Sequence, residues 1–348
     1  MNVRILAFTT AGCRLAIRIS DVLKDDECTL YSKTSSDPVG LENVNCSLKN
    51  WMGSVFDISD AIVIVGATGI AVRMIAPFIK SKSTDPAIVS VDEKGRFVIS
   101  LIAGHIGGSN KLTRRIASGI GAVPVITTAT DINNIFSVDT YAAEHDIHIA
   151  NLSVVKDVSS RLLDGRTVGL VSEFPICGPV PEGIALEHSG EVGILVSAAG
   201  KSSPFTRTLR LIPECHVLGI GCRKGIPKEM ISEIVEKVLS EEDISIDSIR
   251  TVASIDLKKE EPGLKEFSEM LTVPMVTFTS SELNSLPGSD YSSSEMVKNV
   301  TNVDCVCERA AVLASRNGHL VRKKTIGHGV TVAIARDDYV LDFTSDET

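Results

Sequence analysis

Val65-Gly66-Ala67-Thr68-Gly69-Ile70 is a glycine-rich turn between two regular elements, and Ile102-Ala103-Gly104-His105-Ile106-Gly107-Gly108-Ser109-Asn110 repeats its design. The residues before each turn are β-branched or aromatic, and those after it place apolar side chains at helical spacing. Both stretches therefore predict a strand, a turn and a helix. Helix N-termini carry free N–H groups and the positive end of the helix dipole, which attract phosphate or carboxylate. The sequence predicts that the two turns together form an anion-binding site.

The second turn also contains His105, whose side-chain type titrates near neutrality. The small residues around it leave the imidazole open to a substrate. Consecutive amides at Gly107, Gly108 and Ser109 are suited to hold a resting carboxylate or a developing oxyanion. We therefore predict chemistry at His105 and anion stabilisation by these amides.

The composition predicts an α/β protein. Apolar residues make up 43% of the 348 residues and aromatic residues only 4%, so the cores depend on Ile, Val, Leu and Ala, as in parallel sheets covered by helices. At about 100–200 residues per domain, the length fits two or three domains. We predict three-layer α/β/α domains with mainly parallel sheets at residues 1–130 and 214–348, and a smaller α/β middle domain at 131–213. Within the first domain, strands 87–91 and 97–102 form a hairpin through Asp92-Glu93-Lys94-Gly95.

Charge and cysteine usage exclude several classes of protein. The formal net charge of −9 disfavours broad contact with nucleic acid or an anionic membrane. The eight cysteines are dispersed without a C-x-x-C pair, which disfavours a zinc site and fits a reducing cytoplasm. No apolar run approaches the roughly 20 residues that span a bilayer. No cluster has the spacing of metal ligands, so no resident metal is predicted.

A third glycine-rich turn follows a strand at Gly219-Ile220-Gly221-Cys222-Arg223-Lys224-Gly225. It is one residue away from the G-x-G-x-x-G dinucleotide fingerprint, so a nucleotide-dependent oxidoreductase stays an alternative. Arg223 and Lys224 favour a different anionic group. The second turn does not fit the P-loop pattern, which disfavours a P-loop NTPase.

Structural explanations compete at several of these positions. Gly66 and Gly69 fit a tight turn without a ligand, and Thr68 can cap a helix. The Arg73 guanidinium can reach a ligand or extend into water. Thr128 and Asp131 follow a strand, where they can line a ligand crevice or cap a turn. Arg114 and Arg115 are predicted to be surface charges.

Several of these segments resemble the cobalamin biosynthesis protein G (CbiG) family. Residues 67–73, 84–87, 92–97 and 100–108 look like its N-terminal region, whereas residues 219–225, 307–311 and 329–336 look like its C-terminal domain. The resemblance implies a cobalt-precorrin-5A hydrolase of anaerobic cobalamin (vitamin B12) biosynthesis. Such an enzyme opens a δ-lactone on a cobalt tetrapyrrole and releases acetaldehyde to give cobalt-precorrin-5B. Cobalt then arrives within the substrate, and no separate cofactor is expected.

A reaction of this kind needs a base, oxyanion donors and local positive groups for the acidic arms of the substrate. We predict His105 as the base. The predicted substrate-binding residues are Gly66, Thr68, Gly69, Arg73, Gly104, Gly107, Gly108, Ser109, Thr128, Asp131, Gly221, Arg223 and Lys224. Transient contact with neighbouring pathway enzymes is compatible with this function. A non-catalytic tetrapyrrole carrier stays a further alternative.

Overall fold

The structure is a computed structural model that describes residues 1–35, 39–81, 84–105, 107–200, 202–286, 291–293 and 295–344. It divides into two compact units, Met1–Tyr141 and Ala142–Thr348. Both units combine helices with mostly parallel sheets, and the second contains two separate larger sheets. The predicted α/β class with mainly parallel sheets is confirmed.

The first unit contains one seven-stranded sheet with helices between its strands. The elements in chain order are β1 (Asn2–Ala7), α1 (Thr10–Val22), β2 (Glu27–Ser32), β3 (Glu42–Asn43), α2 (Leu48–Val55), β4 (Ala61–Val65), α3 (Thr68–Ile75), β5 (Ala87–Val91), β6 (Phe97–Ile102), α4 (Ser109–Ile120), β7 (Val123–Val125), α5 (Ala129–Ile132) and α6 (Val138–Glu144). The strand order across the sheet is β3-β2-β1-β4-β5-β6-β7. The last helix of this group continues into the second unit.

Helices cover both faces of this sheet, which gives the predicted three layers. Side chains of α1 and α4 pack on one face with alternate residues of the central strands, such as Val63 and Val89. Side chains of α2 and α3 pack on the other face, where Ile62 and Ile64 point. Because both faces are covered, β4 is apolar throughout and fully buried, as parallel-sheet strands commonly are.

The pairing of β5 with β6 is antiparallel, whereas the other neighbouring strands of this sheet run parallel. The predicted hairpin is therefore present, and the Asp92 carboxylate accepts hydrogen bonds from the Lys94, Arg96 and Phe97 amides in its turn. Gly95 has a φ of 66° there, a conformation that glycine adopts without strain.

The hairpin places the first two glycine turns at opposite edges of the sheet. Val65, which precedes the first turn, lies level with Val91 at the end of β5. Ile102, which precedes the second turn, pairs with Ile88 near the start of β5. The turns are thus at least about 10 Å apart along the strands. The prediction that they share one anion-binding hollow is wrong, because β6 runs against the direction of β4.

The second unit contains two five-stranded sheets and a small two-stranded one. Its elements are β8 (Ile147–Ile149), α7 (Val155–Leu163), β9 (Val168–Ser172), β10 (Ile176–Cys177), β11 (Ile184–Leu186), β12 (Gly190–Val196), β13 (Phe205–Pro213), β14 (His216–Cys222), α8 (Lys228–Glu241), β15 (Ile249–Ile255), α9 (Pro262–Leu271), β16 (Met275–Phe278), α10 (Ser280–Ser285), α11 (Glu295–Thr301), α12 (Val306–Ala314), β17 (His319–Gly327), β18 (Val330–Arg336) and β19 (Leu341–Asp342).

The two larger sheets of this unit differ in their layering. The sheet β11-β9-β12-β13-β8 packs against α7 and is parallel except at β8. The sheet β16-β15-β14-β18-β17 carries α8 and α9 on one face and α10 and α12 on the other. This second sheet has the predicted α/β/α layering, with antiparallel strands β18 and β17 at one side. Among the described residues, no helix combines the length and apolar character needed to cross a membrane.

Candidate active site

The second glycine turn is compact because three of its residues meet close neighbours or adopt unusual backbone angles. A Cβ on Gly107 would lie 2.4 Å from the Ala103 Cβ, so only glycine fits there. Gly108 has a φ of 77° and forms the N-cap of α4. Ala103 also has a positive φ, 58°, although it carries a side chain. Such a backbone costs roughly 1–2 kcal/mol for an L-residue, so the surrounding contacts hold the turn in a strained conformation.

This turn presents His105 to a cluster of acidic and hydroxyl groups from the segment after β7. The His105 Nε2 lies 3.0 Å from the Asp131 Oδ2 and 2.9 Å from the Thr130 Oγ1. The Nδ1 on the other side of the ring lies 3.5 Å from the Asp139 Oδ2. The side chains of His105, Asp131 and Asp139 are 19%, 13% and 6% exposed. The imidazole is thus held between two carboxylates and is partly open to solvent.

Asp131 is fixed by donors other than His105. Arg114 Nη2 donates to its Oδ1 at 2.5 Å, and Asn110 Nδ2 donates to its Oδ2 at 2.8 Å. Asn110 also donates to the Thr128 Oγ1 at 3.0 Å and accepts from the Ser100 hydroxyl. These bonds connect the ends of β6 and β7 at one edge of the sheet.

Asp139 is held more sparsely, at the start of α6. The Ser137 hydroxyl donates to its Oδ1 at 2.8 Å, and its Oδ2 faces His105. Burial alone would raise the pKa of Asp139, but hydrogen bonds from His105 and Ser137 outweigh burial and lower it to about 2. The bond to Asp139 is in turn the largest cause that raises the pKa of His105 above 6.5, with a smaller contribution from Asp131. The pair therefore favours an imidazolium beside a carboxylate near neutral pH.

The amides of this turn are mostly engaged by the turn itself. Gly108 N donates to the His105 carbonyl at 2.8 Å, and Ser109 N donates to the Ala103 carbonyl at 3.0 Å. The prediction of three free amides at Gly107, Gly108 and Ser109 is therefore wrong for the last two. Within the described part of the turn, the Gly107 amide is the one that meets no acceptor.

The first glycine turn has the opposite character. Its amides at Ala67, Thr68 and Gly69 meet no acceptor among the described residues, and Ala67 and Gly69 are exposed. Gly66 is required by packing, since a Cβ there would lie 2.8 Å from the Phe8 ring. The Thr68 hydroxyl lies 3.3 Å from that of Ser90, and Arg73 is exposed.

The glycines of the third turn serve packing more than ligand binding. A Cβ on Gly219 would lie 1.8 Å from the Cys307 carbonyl oxygen, and one on Gly221 would lie 2.7 Å from the Thr331 hydroxyl. Both glycines lie within strand β14 and not in the turn. The turn amide of Gly225 donates to the Glu261 carboxylate at 2.6 Å, while Arg223 and Lys224 are exposed.

The structure thus joins one subset of the predicted residues and separates the rest. It brings Gly104, Ser109, Thr128 and Asp131 to the edge where His105 lies. It places Gly66, Thr68, Gly69 and Arg73 at the opposite edge and Gly221, Arg223 and Lys224 in the other compact unit. Whether each residue binds substrate stays a prediction.

Four residues of the cluster are absent from the predicted set: Asn110, Arg114, Thr130 and Asp139. Arg114 is paired with Asp131 and is not a plain surface charge, although half of its side chain is exposed. Its spacing from Asn110, one helical turn, is the signal that both point toward the same edge. Nothing local in the sequence indicated Asp139, which follows the strand end by more than a dozen residues.

A search for metal sites gives no candidate in the described ranges. No group of three or more His, Cys, Asp or Glu side chains there is arranged to hold a metal ion. The chemistry available at the second turn is acid–base chemistry, since an imidazole with one strongly acidic partner can give and accept a proton near neutral pH.

An α/β fold with an imidazole between carboxylates at a strand end defines the class of protein as one with an acid–base site. Three family models identify it further: Cobalamin synthesis G N-terminal at residues 50–131, Cobalamin biosynthesis central region at 136–213 and Cobalamin synthesis G C-terminus at 216–335. The chain therefore belongs to the cobalamin biosynthesis protein G family.

Individual relatives match the chain over nearly its full length. A cobalt-precorrin-5A hydrolase of Salmonella typhimurium is 31% identical and covers 96% of this chain and 97% of its own. A cobalt-precorrin-5A hydrolase of Priestia megaterium is 30% identical over 96% of this chain and 95% of its own. The crystal structure of a putative cobalamin biosynthesis protein G homolog from Sulfolobus solfataricus is 23% identical, covers 96% of this chain and 97% of that chain, and has a TM-score of 0.42.

Proposed function

We propose that this chain is a cobalt-precorrin-5A hydrolase of cobalamin biosynthesis. The observation that carries the proposal is the full-length similarity, at 31% identity, to a relative of that name. The His105 cluster supplies acid–base groups that such a reaction requires. The macrocycle, with its cobalt, is the substrate, and we propose no resident cofactor. A cytoplasmic location is part of the proposal.

Hydrolysis of a lactone needs a proton for the ring oxygen that leaves the carbonyl carbon. Water forms the new C–O bond, and its excess proton passes to solvent as the carboxylate ionises. We assign His105 as the donor, because its raised pKa keeps the imidazolium populated near neutral pH. The C–O bond of the ring breaks, the freed oxygen takes the His105 proton, and a hydroxyl results.

Release of acetaldehyde then requires a base. The neutral His105 left by the first step accepts the proton of the freed hydroxyl as the C–C bond breaks, and the bonding electron pair passes to the macrocycle. This second step is the base role that the sequence predicts for His105. One residue thus acts first as acid and then as base, and ends in its starting protonation state.

Binding of the acidic substrate at this edge depends on few positive groups. Arg114 is half exposed and the Gly107 amide meets no acceptor in the described part of the turn, so we propose these as contacts for carboxylate arms. Thr128 and Gly104 line the same edge. Arg223 and Lys224 are exposed cations that we propose as additional contacts for acidic arms.

The test is an assay of acetaldehyde after the purified chain is incubated with cobalt-precorrin-5A. A hydrolase releases acetaldehyde in amounts that exceed the enzyme many-fold. A carrier binds the substrate and releases none, which would contradict the proposal. Titration with NAD(P) tests the oxidoreductase alternative, which the packing of Gly219 and Gly221 inside strand β14 does not favour.

A further inference from the structure

The two carboxylates beside His105 differ in how their charge is stabilised. Asp131 has the Arg114 guanidinium at 2.5 Å and the Asn110 amide at 2.8 Å, and both contacts exist without His105. A carboxylate with a guanidinium and an amide donor stays ionised by itself. Asp131 therefore does not depend on the imidazole for its charge.

Asp139 has no such support in the described residues. Its side chain is 6% exposed, and its contacts are the neutral Ser137 hydroxyl and the His105 ring. A buried carboxylate without a cation is costly, so its ionised form depends on the imidazolium. The dependence is mutual, because the same contact is what favours the proton on His105.

The two contacts also fix which ring nitrogen faces which partner. Asp139 lies against Nδ1, whereas Asp131 and Thr130 lie against Nε2. A carboxylate that accepts from one imidazole nitrogen holds the tautomer in which the other nitrogen exchanges protons. The groups on the Nε2 side belong to α5, a helix of four residues that lies at the partly open side of the site.

We infer that Asp139 is the positioning residue of the site: it holds Nδ1 protonated and directs Nε2 to the substrate, while Asp131 anchors the edge and yields Nε2 when substrate binds. This inference rests on the proposed hydrolase function for its catalytic meaning. Its structural part concerns this chain alone and can be tested without substrate. The charged groups around His105 are Asp139 from α6, Asp131 from α5 and, beyond Asp131, Arg114 from α4.

The first experiment is an NMR titration of the histidine rings, with His105 assigned by its loss in His105→Gln. In the unmodified chain the His105 pKa should exceed 6.5. Asp139→Asn should lower that pKa more than the matched change Asp131→Asn, which leaves the Asp139 contact intact. Ser137→Ala, which removes one hydrogen bond but keeps the charge of Asp139, should give a smaller decrease than Asp139→Asn.

The second experiment measures acetaldehyde release by the same variants across pH. Asp139→Asn should lower kcat about 10²-fold with KM within about twofold, and should move the alkaline limb of the pH profile to lower pH. A merely structural residue would lower the amount of active enzyme and leave the position of that limb unchanged.

The outcomes separate this inference from the proposed function. If Asp131→Asn lowers the His105 pKa as much as Asp139→Asn, or if Asp139→Asn leaves it unchanged, the positioning role is overturned even when the enzyme is active. If the unmodified chain releases no acetaldehyde, the hydrolase proposal fails while the NMR result still decides how the ring is held. Should Asp139→Asn fail to fold, Ser137→Ala decides the question by the same titration, and an unchanged His105 pKa in that variant would overturn the inference.

Discussion

The first and second glycine turns look alike in sequence and differ in what their backbones and side chains are free to do. The first turn leaves the amides of Ala67, Thr68 and Gly69 without acceptors among the described residues. The second turn satisfies the amides of Gly108 and Ser109 internally and gathers an imidazole and two carboxylates. A shared strand–turn–helix pattern therefore says where a turn lies, whereas the surrounding chain sets its chemistry.

The difference follows from the direction of one strand. β4 runs parallel to β1 and β5, so the first turn opens at their common carboxyl edge, between helices on opposite faces of the sheet. β6 runs the other way and pairs in parallel with β7, so the second turn meets the segment that follows β7. That segment supplies Thr130 and Asp131, which the first turn has no counterpart for.

The largest difference between the two turns should appear in catalysis. His105→Gln should lower kcat for acetaldehyde release by roughly 10²–10⁴-fold with KM nearly unchanged, because it removes the proton donor and acceptor. The matched change at the first turn, Thr68→Ala, should leave kcat within about twofold. Steady-state kinetics on both variants make the comparison, and a near-normal rate in His105→Gln would remove the catalytic assignment.

Stability should separate the turns next. Gly107→Ala should lower the free energy of unfolding by up to about 3 kcal/mol, because the new Cβ meets the Ala103 Cβ and its neighbouring backbone oxygen. Gly69→Ala should be neutral or raise it by up to about 1 kcal/mol, since Gly69 lies in α3 with nothing near its Cβ position. Urea denaturation measures both. Equal effects would mean that the second turn adapts as readily as the first.

Acid should affect the His105 edge specifically through Asp139. Its pKa is lowered in the folded chain from 3.8 to about 2, so its stabilisation is complete above pH 3.8 and is lost as the pH falls toward 2. The loss should be on the order of 2 kcal/mol. Unfolding measured between pH 5 and pH 2 should therefore show a steeper decline in the unmodified chain than in Asp139→Asn. Identical slopes would show that the carboxylate is not stabilised as described.

The smallest effect is expected at Arg73. It lies on the helix after the first turn, at the edge opposite His105, so Arg73→Ala should change KM for cobalt-precorrin-5A by less than about twofold. Arg114→Ala, on the His105 edge, serves as the comparison and should raise KM more. A larger KM increase for Arg73→Ala would show that the substrate contacts both edges, as the sequence suggested for this residue.

Local features of the fold were predictable because they depend on neighbouring residues. Strands 61–65, 87–91 and 97–102 and the hairpin between the last two follow from β-branched runs and the Asp92–Gly95 turn. The edge strand β2, at Glu27–Ser32, was missed because its mixed polar sequence gives no clear alternation. The orientation of the second turn was implicit in the hairpin, since a hairpin reverses the chain.

The candidate site was predictable only in part. Thr128 and Asp131 follow a strand adjacent to β6, and the rule that carboxyl ends of parallel neighbours share an edge places them near His105. Asp139 could not be found this way, because the loop and helix after Asp131 carry it back to the ring. Free amides at helix starts were overestimated, because the sequence does not show that the Ala103 and Gly104 carbonyls turn inward to accept them.

The left-handed backbone at Ala103 has a consequence for how this loop ages under selection or engineering. Glycine there would relieve about 1 kcal/mol of strain and raise the melting temperature, so a screen for heat resistance alone would favour it. The same change would widen the range of conformations open to the neighbouring imidazole and loosen its alignment. A more robust variant obtained in this way would be the poorer catalyst, and the methyl group of Ala103 marks where durability and turnover compete.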